Sequence, residues 1–391
     1  MSAPIGRHAP KVRHVSERKA RRRRVTIALI GGLAIAALVS GAVLSDRGTS
    51  QRPSPASGLS LRRLAGERLV AGFPGVEVPK PMRRMIHEGD LAGVILFAEN
   101  LPSRPAARDL IAEIESIPRP PGLRDPLLVM VDQEGGLVKR LAGAPTVSAA
   151  QMGAAGAAFS RAQGAATAAN LSGVGVNVDL APVLDVARPG GTIASTERGF
   201  GSSAAAVETT AVPFAAALQG RGVAATAKHF PGLGAASENT DFAVQRIDLS
   251  KRTLRAVDER PYRSFVAAGG ALVMLSTAIY PAFSPKPAAF ARAIATGELR
   301  RRIGFHGVSI TDALESAAVR DFGGPAAAAR AATAAGTDLL LFTDYRAGVK
   351  AWRALVRLLR TAPNAGAAFE DSVGRVLRLR HASMANAVRR R

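Results

Sequence analysis

Beyond residue 58 the chain alternates short, nearly uninterrupted apolar runs with longer stretches rich in alanine. Eight runs stand out: RLVAGF (68–73), GVILF (93–97), LLVMV (127–131), VGVNVDL (174–180), VAATA (223–227), ALVML (271–275), GVSIT (307–311) and DLLLF (338–342). A strand with one solvated face alternates apolar with polar residues, whereas a run apolar at both parities is expected of a parallel strand covered on both faces. Segments such as 203–219 and 324–335 supply the helices between the runs. Eight such units in about 320 residues predict a (β/α)8, TIM-like barrel of the α/β class. An open doubly wound sheet is the alternative, but no G-x-G-x-x-G turn follows the first run.

The residues ahead of the barrel follow a different pattern. Val25 to Leu44, VTIALIGGLAIAALVSGAVL, carries no charge and is about long enough to cross a bilayer as one helix. RKARRRR precedes it directly, which predicts a cytoplasmic N-terminus and a barrel outside the membrane. A cleaved signal segment is the competing reading: Ser40-Gly41-Ala42 offers small residues to a peptidase, although the apolar core exceeds the usual ~7–15 residues. The expected organisation is a basic tail (1–24), an anchor or signal segment (25–44), a Pro/Ser/Gly-rich linker (45–58), the barrel (59–385) and a basic end (386–391).

Composition changes this picture in two places. The net charge of +22 ordinarily points to nucleic acid or anionic membrane, but it is unevenly placed. Residues 1–24 hold nine Arg or Lys against Glu17 alone, as the flank of a membrane helix does, so no nucleic-acid partner is expected. The chain has no cysteine, which excludes disulfides, thiolate metal sites and a lipidated cysteine.

Function in a barrel sits where strands end, so the informative residues are those just after each run. Asp132, Gln133, Glu134, Gly135 and Gly136 follow the third run, with Arg140 one turn on. Pro182 and Asp185 follow the fourth, and Arg198 comes later. Lys228 and His229 follow the fifth, Ser276 and Thr277 the sixth, Asp312 the seventh, Thr343 and Asp344 the eighth. Charged and hydrogen-bonding groups at one end of several strands are what a polyhydroxylated ligand requires. Taken singly they have plainer readings: Asp312 as a helix N-cap, Arg198 as a brace on the rim, His229 as a packed core histidine, Glu134 as structural.

Four of these stretches, VMVDQEGGLVKRL, STERGF, KHFPGLG and GFHGVSITDAL, occur in the order of the motif series of glycoside hydrolase family 3. The chain resembles that family over roughly residues 60–385, most closely its single-domain β-N-acetylhexosaminidase branch. The resemblance implies a TIM-like barrel and a retaining mechanism that uses neither metal nor organic cofactor. It places Asp312 at the catalytic nucleophile, and Asp132, Arg140, Arg198, Lys228 and His229 at positions that hold the sugar beside the scissile bond. The implied substrates are terminal N-acetylglucosaminides of cell-wall or chitin-type oligosaccharides.

The chain departs from that branch at the proton donor. In that branch the loop after KHFPG-x-G ends in Asp-Ser-His, with the histidine as acid/base and the aspartate orienting it. Here the matching residues are Asn239, Thr240 and Asp241. Asp241 is the expected acid/base, since a carboxylic acid does this work in most glycosidases. Glu238 is the alternative donor, and a glycan-binding chain without turnover is the alternative function. A polyanion-binding protein using its arginine-rich exterior is a third reading. Leu137 stands where the family has an arginine, and Ser276-Thr277 replaces a Ser-His or similar pair, which leaves the sugar and aglycone open.

Overall fold

The computed structural model describes residues 54–388. The expected basic tail, the apolar segment 25–44 and most of the linker lie outside the described residues, as do 389–391. Among the described residues no helix is long and apolar enough to cross a membrane.

Each of the eight apolar runs forms a strand: β1 (Leu69–Ala71), β2 (Gly93–Ile95), β3 (Leu128–Val131), β4 (Val178–Asp179), β5 (Ala224–Phe230), β6 (Leu272–Leu275), β7 (Val308–Thr311) and β8 (Leu340–Phe342). All pair in parallel in the order β7-β6-β5-β4-β3-β2-β1-β8. Between β7 and β8 the seam is short. The Thr311 amide donates to Leu339 (3.0 Å) and the Leu339 amide to Ser309 (2.8 Å), around a bridge between Ile310 and Leu339. The result is a nearly closed barrel.

Helices follow the strands as the alternation predicts. The main ones are α1 (Lys80–Glu88), α2 (Arg104–Ser116), α3 (Ala157–Ser172), α4 (Ala204–Gly220), α5 (Arg260–Ala267), α6 (Gly324–Ala335), α7 (Tyr345–Thr361) and α8 (Gly366–Val388). A wide-turn helix, Ala293–Arg302, follows β6. The alanine-rich segments are α4 and α6, and small residues let neighbouring helices approach closely. Gly164 of α3 and the Phe214 carbonyl of α4 illustrate this: a Cβ at Gly164 would lie 2.3 Å from that oxygen.

Because strand side chains alternate in direction, runs apolar at both parities serve two cores. One parity, including Val70, Leu128, Met130, Leu272, Met274, Val308, Ile310 and Leu341, fills the barrel interior. The other, including Leu69, Val129, Val131, Val273, Leu275 and Leu340, packs outward against the helices. Val376 of α8 joins the interior set.

One boundary differs from expectation. Lys228 and His229 lie inside β5, which runs on to Phe230 rather than ending at Ala227. Two polar residues read as the start of a loop, yet β5 continues with the same alternation. Ala224, Thr226 and Lys228 share one parity, and Ala225 and Ala227 pack outward. The pairing to β6 is irregular between Ala227 and Phe230, and the Lys228–His229 and Phe230–Pro231 peptide bonds are cis.

Candidate active site

The inward parity of the strands continues past their C-terminal ends, and there it turns polar. Asp132 follows Leu128 and Met130, Asp312 follows Val308 and Ile310, and Thr343 follows Leu341, each two residues on. These residues border a cavity of about 260 Å³ whose floor is Ile95, Leu180, Met274 and Leu341. Asp132, Arg140, Arg198, Lys228, His229, Asp241 and Asp312 all line it. Seven residues scattered over 180 positions of sequence thus meet at one point. Glu238 is exposed and does not line the cavity, whereas Asn239 does.

One wall is a network of charges. Lys228 Nζ lies 2.7 Å from Asp132 Oδ1 and 2.7 Å from Glu134 Oε1. Arg198 grips Glu134 with two parallel bonds, Nε to Oε2 and Nη2 to Oε1, both 2.8 Å. Arg140 Nη2 reaches Asp132 Oδ2 at 3.5 Å. Burial disfavours the ionised Asp132, but Lys228 and Arg140 outweigh it and hold the carboxyl below its usual range. The same contest at Glu134, against Arg198 and Lys228, ends far below the usual value. Burial likewise works against the Lys228 ammonium, and the two carboxylates raise it in spite of that. Every member is therefore charged, and the network presents fixed donors and acceptors of the kind that match vicinal hydroxyls.

Glu134, read from sequence as structural, joins Arg198 to Lys228 and also lines the cavity. Its place next to the turn at Gly135 and Gly136 is set by backbone geometry. Both glycines have positive φ, and a Cβ on Gly135 would meet the Val147 carbonyl at 2.2 Å.

His229 faces the cavity with its ring held from behind. Its Nδ1 donates to Asp185 Oδ2 (2.7 Å), and Asp185 Oδ1 accepts the amides of His229 (3.0 Å) and Leu233 (2.7 Å). Asp185 thereby fixes both the ring and the PGLG turn after it. That turn lies against the segment after β4, and a Cβ on Gly234 would fall 1.9 Å from the Val186 carbonyl. Tyr280 donates to the Gly232 carbonyl at 3.0 Å from the other side.

Asp312 caps no helix. Its Oδ1 accepts the amide of Ala313 (2.8 Å), and the next helical turn, Ala317–Arg320, begins after Ser316. Burial raises its carboxyl above the ordinary range. The nearby His229 opposes this, and the negative charge of Asp241 adds to it. Asp241 stands on the loop after β5, where Asn239 Nδ2 donates to its Oδ2 (3.1 Å) and Asn239 Oδ1 accepts its amide (3.0 Å). The Ala317 and Ala318 amides donate to the carbonyls of Asp241 and Thr240, each at 3.2 Å, so this loop is tied to the one that carries Asp312.

Among the wall residues given no role in the sequence reading are Asn239 and Phe97. Asn239 holds Asp241, and its signal was its place two residues ahead. Phe97, which follows β2, lines the cavity 5.9 Å from the Arg140 guanidinium. Its signal was an aromatic ending the second run. Among the described residues no cluster of His, Asp and Glu is arranged to hold a metal ion.

Comparison with known proteins points to one family. A family model described as "Glycosyl hydrolase family 3 N terminal domain" matches residues 68–379. The chain is 38% identical over 301 residues to an "Uncharacterized secreted glycosyl hydrolase" of Arthroderma benhamiae, spanning 75% of this chain and 85% of that one. It is 34% identical over 283 residues to a "Beta-hexosaminidase" of Xanthomonas oryzae, spanning 70% and 82%. Among solved structures, a family 3 β-N-acetylglucosaminidase from Paenibacillus superposes with a TM-score of 0.79 at 32% identity, over 83% of this chain and 63% of that one. This chain thus spans less than two thirds of the Paenibacillus protein. A β-N-acetylhexosaminidase from Beutenbergia cavernae superposes with a TM-score of 0.76 at 30% identity, over 83% and 99%.

Proposed function

The chain belongs to glycosyl hydrolase family 3, and from that premise we propose that it is a retaining β-glycosidase whose nucleophile is Asp312 and whose acid/base is Asp241. The substrates on this reading are terminal N-acetylglucosaminides of cell-wall or chitin-type oligosaccharides; the names of the Xanthomonas and Paenibacillus relatives support the amino sugar. One observation carries the proposal. Asp312 and Asp241 border the same small cavity, one wall of which is a network of charged donors and acceptors.

The chemistry follows from these positions. Asp312 attacks the anomeric carbon while the glycosidic C–O bond breaks, and Asp241 gives its proton to the departing oxygen. A covalent glycosyl-aspartate results. Asp241, now ionised, takes a proton from water, whose oxygen displaces Asp312 and restores both carboxyls. Asp132, Arg140, Arg198 and Lys228 orient the sugar hydroxyls, and His229 borders the reacting centre. No cofactor enters this scheme.

A second reading has its own support. Asp241 is exposed, and no histidine occupies its loop, so a glycan-binding chain with impaired turnover fits the same cavity. Chromogenic β-N-acetylglucosaminide and β-glucoside substrates separate the two: release of the chromophore supports the enzyme, and inertness towards every β-glycoside favours the binder. A 2-fluoro-sugar that traps the intermediate is expected on Asp312, and labelling of another carboxylate would remove it as nucleophile.

For location, we propose that the barrel acts outside the cytoplasmic membrane, held by residues 25–44. The uncharged segment and its basic flank support this. Release after signal cleavage is the alternative, and the secreted Arthroderma relative accords with it.

A further inference from the structure

The end of the barrel where the strands begin carries a second, larger cavity, of about 810 Å³. Arg68 borders it just before β1, Phe305 and His306 just before β7, and Thr337 just before β8, with α6 and α8 as outer walls. Catalytic residues of a barrel gather at the other end, and this end ordinarily serves stability. The volume is that of a small-molecule site.

Six arginines line this space, Arg68, Arg292, Arg300, Arg330, Arg375 and Arg378, against the single carboxylate of Asp371. Three of the six are accounted for by the fold. Arg300 and Arg375 share the buried Asp338, the latter through a 2.8 Å bond from Nη2 to Oδ1. Arg68 donates to the Asp338 carbonyl (3.1 Å) and lies 4.4 Å over the Phe369 ring. Arg292, Arg330 and Arg378 have no such role. They are exposed, and among the described residues none makes an ion pair; Arg292 alone has a hydrogen bond, at 3.5 Å to the Ala334 carbonyl. The Thr333 hydroxyl on α6 borders the same space, is shielded from solvent, and has no hydrogen-bond partner.

Like charges gathered in one cavity repel, and among the described residues no ion pair at Arg292, Arg330 or Arg378 repays that cost as Asp338 does for Arg300 and Arg375. An oxyanion would. The guanidinium fork matches two oxygens of a phosphate, and three unpaired forks with a free hydroxyl supply donors for more than one phosphate group. Leu358, Ala365 and Ala368 face the same volume and suit an organic portion beside the charges. We propose that this cavity is a binding site for a phosphorylated organic ligand, held through its phosphate oxygens by Arg292, Arg330 and Arg378. The site is separate from the catalytic cavity and does not depend on which sugar is cleaved.

A soluble phosphate ester and a segment of phosphodiester polymer share this chemistry. Calorimetric titration of the full chain with inorganic pyrophosphate, and separately with a glycerol-phosphate oligomer, tells them apart by which binds more tightly. The variant Arg330→Gln/Arg378→Gln is compared with Arg252→Gln/Arg263→Gln, which removes as much charge from a surface groove elsewhere. All four side chains are exposed, so both variants are expected to fold, as a thermal melt monitored by circular dichroism checks. Loss of affinity by about tenfold or more in the first variant only, for the tighter probe, is the expected result. Equal losses in both variants, no loss in the first, or no binding of either probe to the parent chain overturns the proposal.

Discussion

Asp312 illustrates how a reactive carboxylate trades stability for chemistry. Burial raises its folded-state value, with Asp241 adding to the rise, so ionising it costs the folded protein free energy. That contribution favours folding below the unfolded value and is lost as pH rises through the folded one. Asp312→Asn removes the charge at every pH. The variant is expected to lose nearly all turnover yet melt about 1–3 °C higher than the parent at neutral pH. The advantage should vanish in acid, where the parent is protonated too. Calorimetric melts across pH, beside a turnover assay, check both halves, and a lower melting point at neutral pH contradicts the account.

Asp241 makes a second prediction at this scale. General acid/base assistance is worth roughly a hundred- to ten-thousand-fold in rate. Asp241→Ala is therefore expected to lose about that much on substrates with poor leaving groups, and much less on activated aryl glycosides. Azide is expected to restore its second step. Glu238→Ala, outside the cavity, should leave the rate near that of the parent. If both variants match the parent on a poor leaving group, the proton comes from elsewhere. Replacing Asp241 by Asn also removes the charge that helps raise Asp312, so the acidic limb of the pH profile on an aryl glycoside should move to lower pH.

Among the elements, β5 bears the most consequence, because its polar end sits where its apolar parity pointed. Lys228 is nearly sealed from solvent between Asp132 and Glu134. Lys228→Met would leave two buried carboxylates with less compensation, and removing one partner of a buried pair costs about 3–5 kcal/mol. Denaturant melts should show a loss of that order, together with loss of sugar binding. A variant as stable as the parent would mean that the network does not bear on folding.

The strands were legible in sequence because a parallel strand buried on both faces leaves an unbroken apolar run. The end of β5 was not, because Lys228 and His229 carry the composition of a loop while keeping the geometry of a strand. Asp132 and Asp312 were legible through their offsets from such runs, and Asp241 through its place after KHFPGLG in the motif series the chain resembles. The Glu134 bridge was not, since its partners lie 64 and 94 positions away and only folding brings them together. The arginine cavity was invisible for the same reason, its wall drawn from residues 68 to 378.

At the scale of the whole molecule, the basic charge divides into parts with different work. The nine cations of residues 1–24 adjoin an uncharged segment. A fusion of residues 1–60 to a reporter is expected to sediment with membranes and to display the reporter outside, as protease accessibility would register. Recovery as soluble cytoplasmic protein contradicts this, and an intact reporter in the medium favours the cleaved alternative.

The Lys228–Glu134 pair at the catalytic cavity carries one more consequence. Small ions act on charges they can approach, over a screening distance of about 8 Å at physiological ionic strength. The Lys228 and Glu134 side chains are only 3% and 2% exposed, so dissolved salt has no path between them. The Michaelis constant for a neutral sugar should accordingly stay nearly flat as sodium chloride rises from dilute buffer to molar brine. Arg292, Arg330 and Arg378, open to solvent at the other end of the barrel, enjoy no such shelter. One protein would then hold a sugar indifferent to brine and a phosphate that brine washes away.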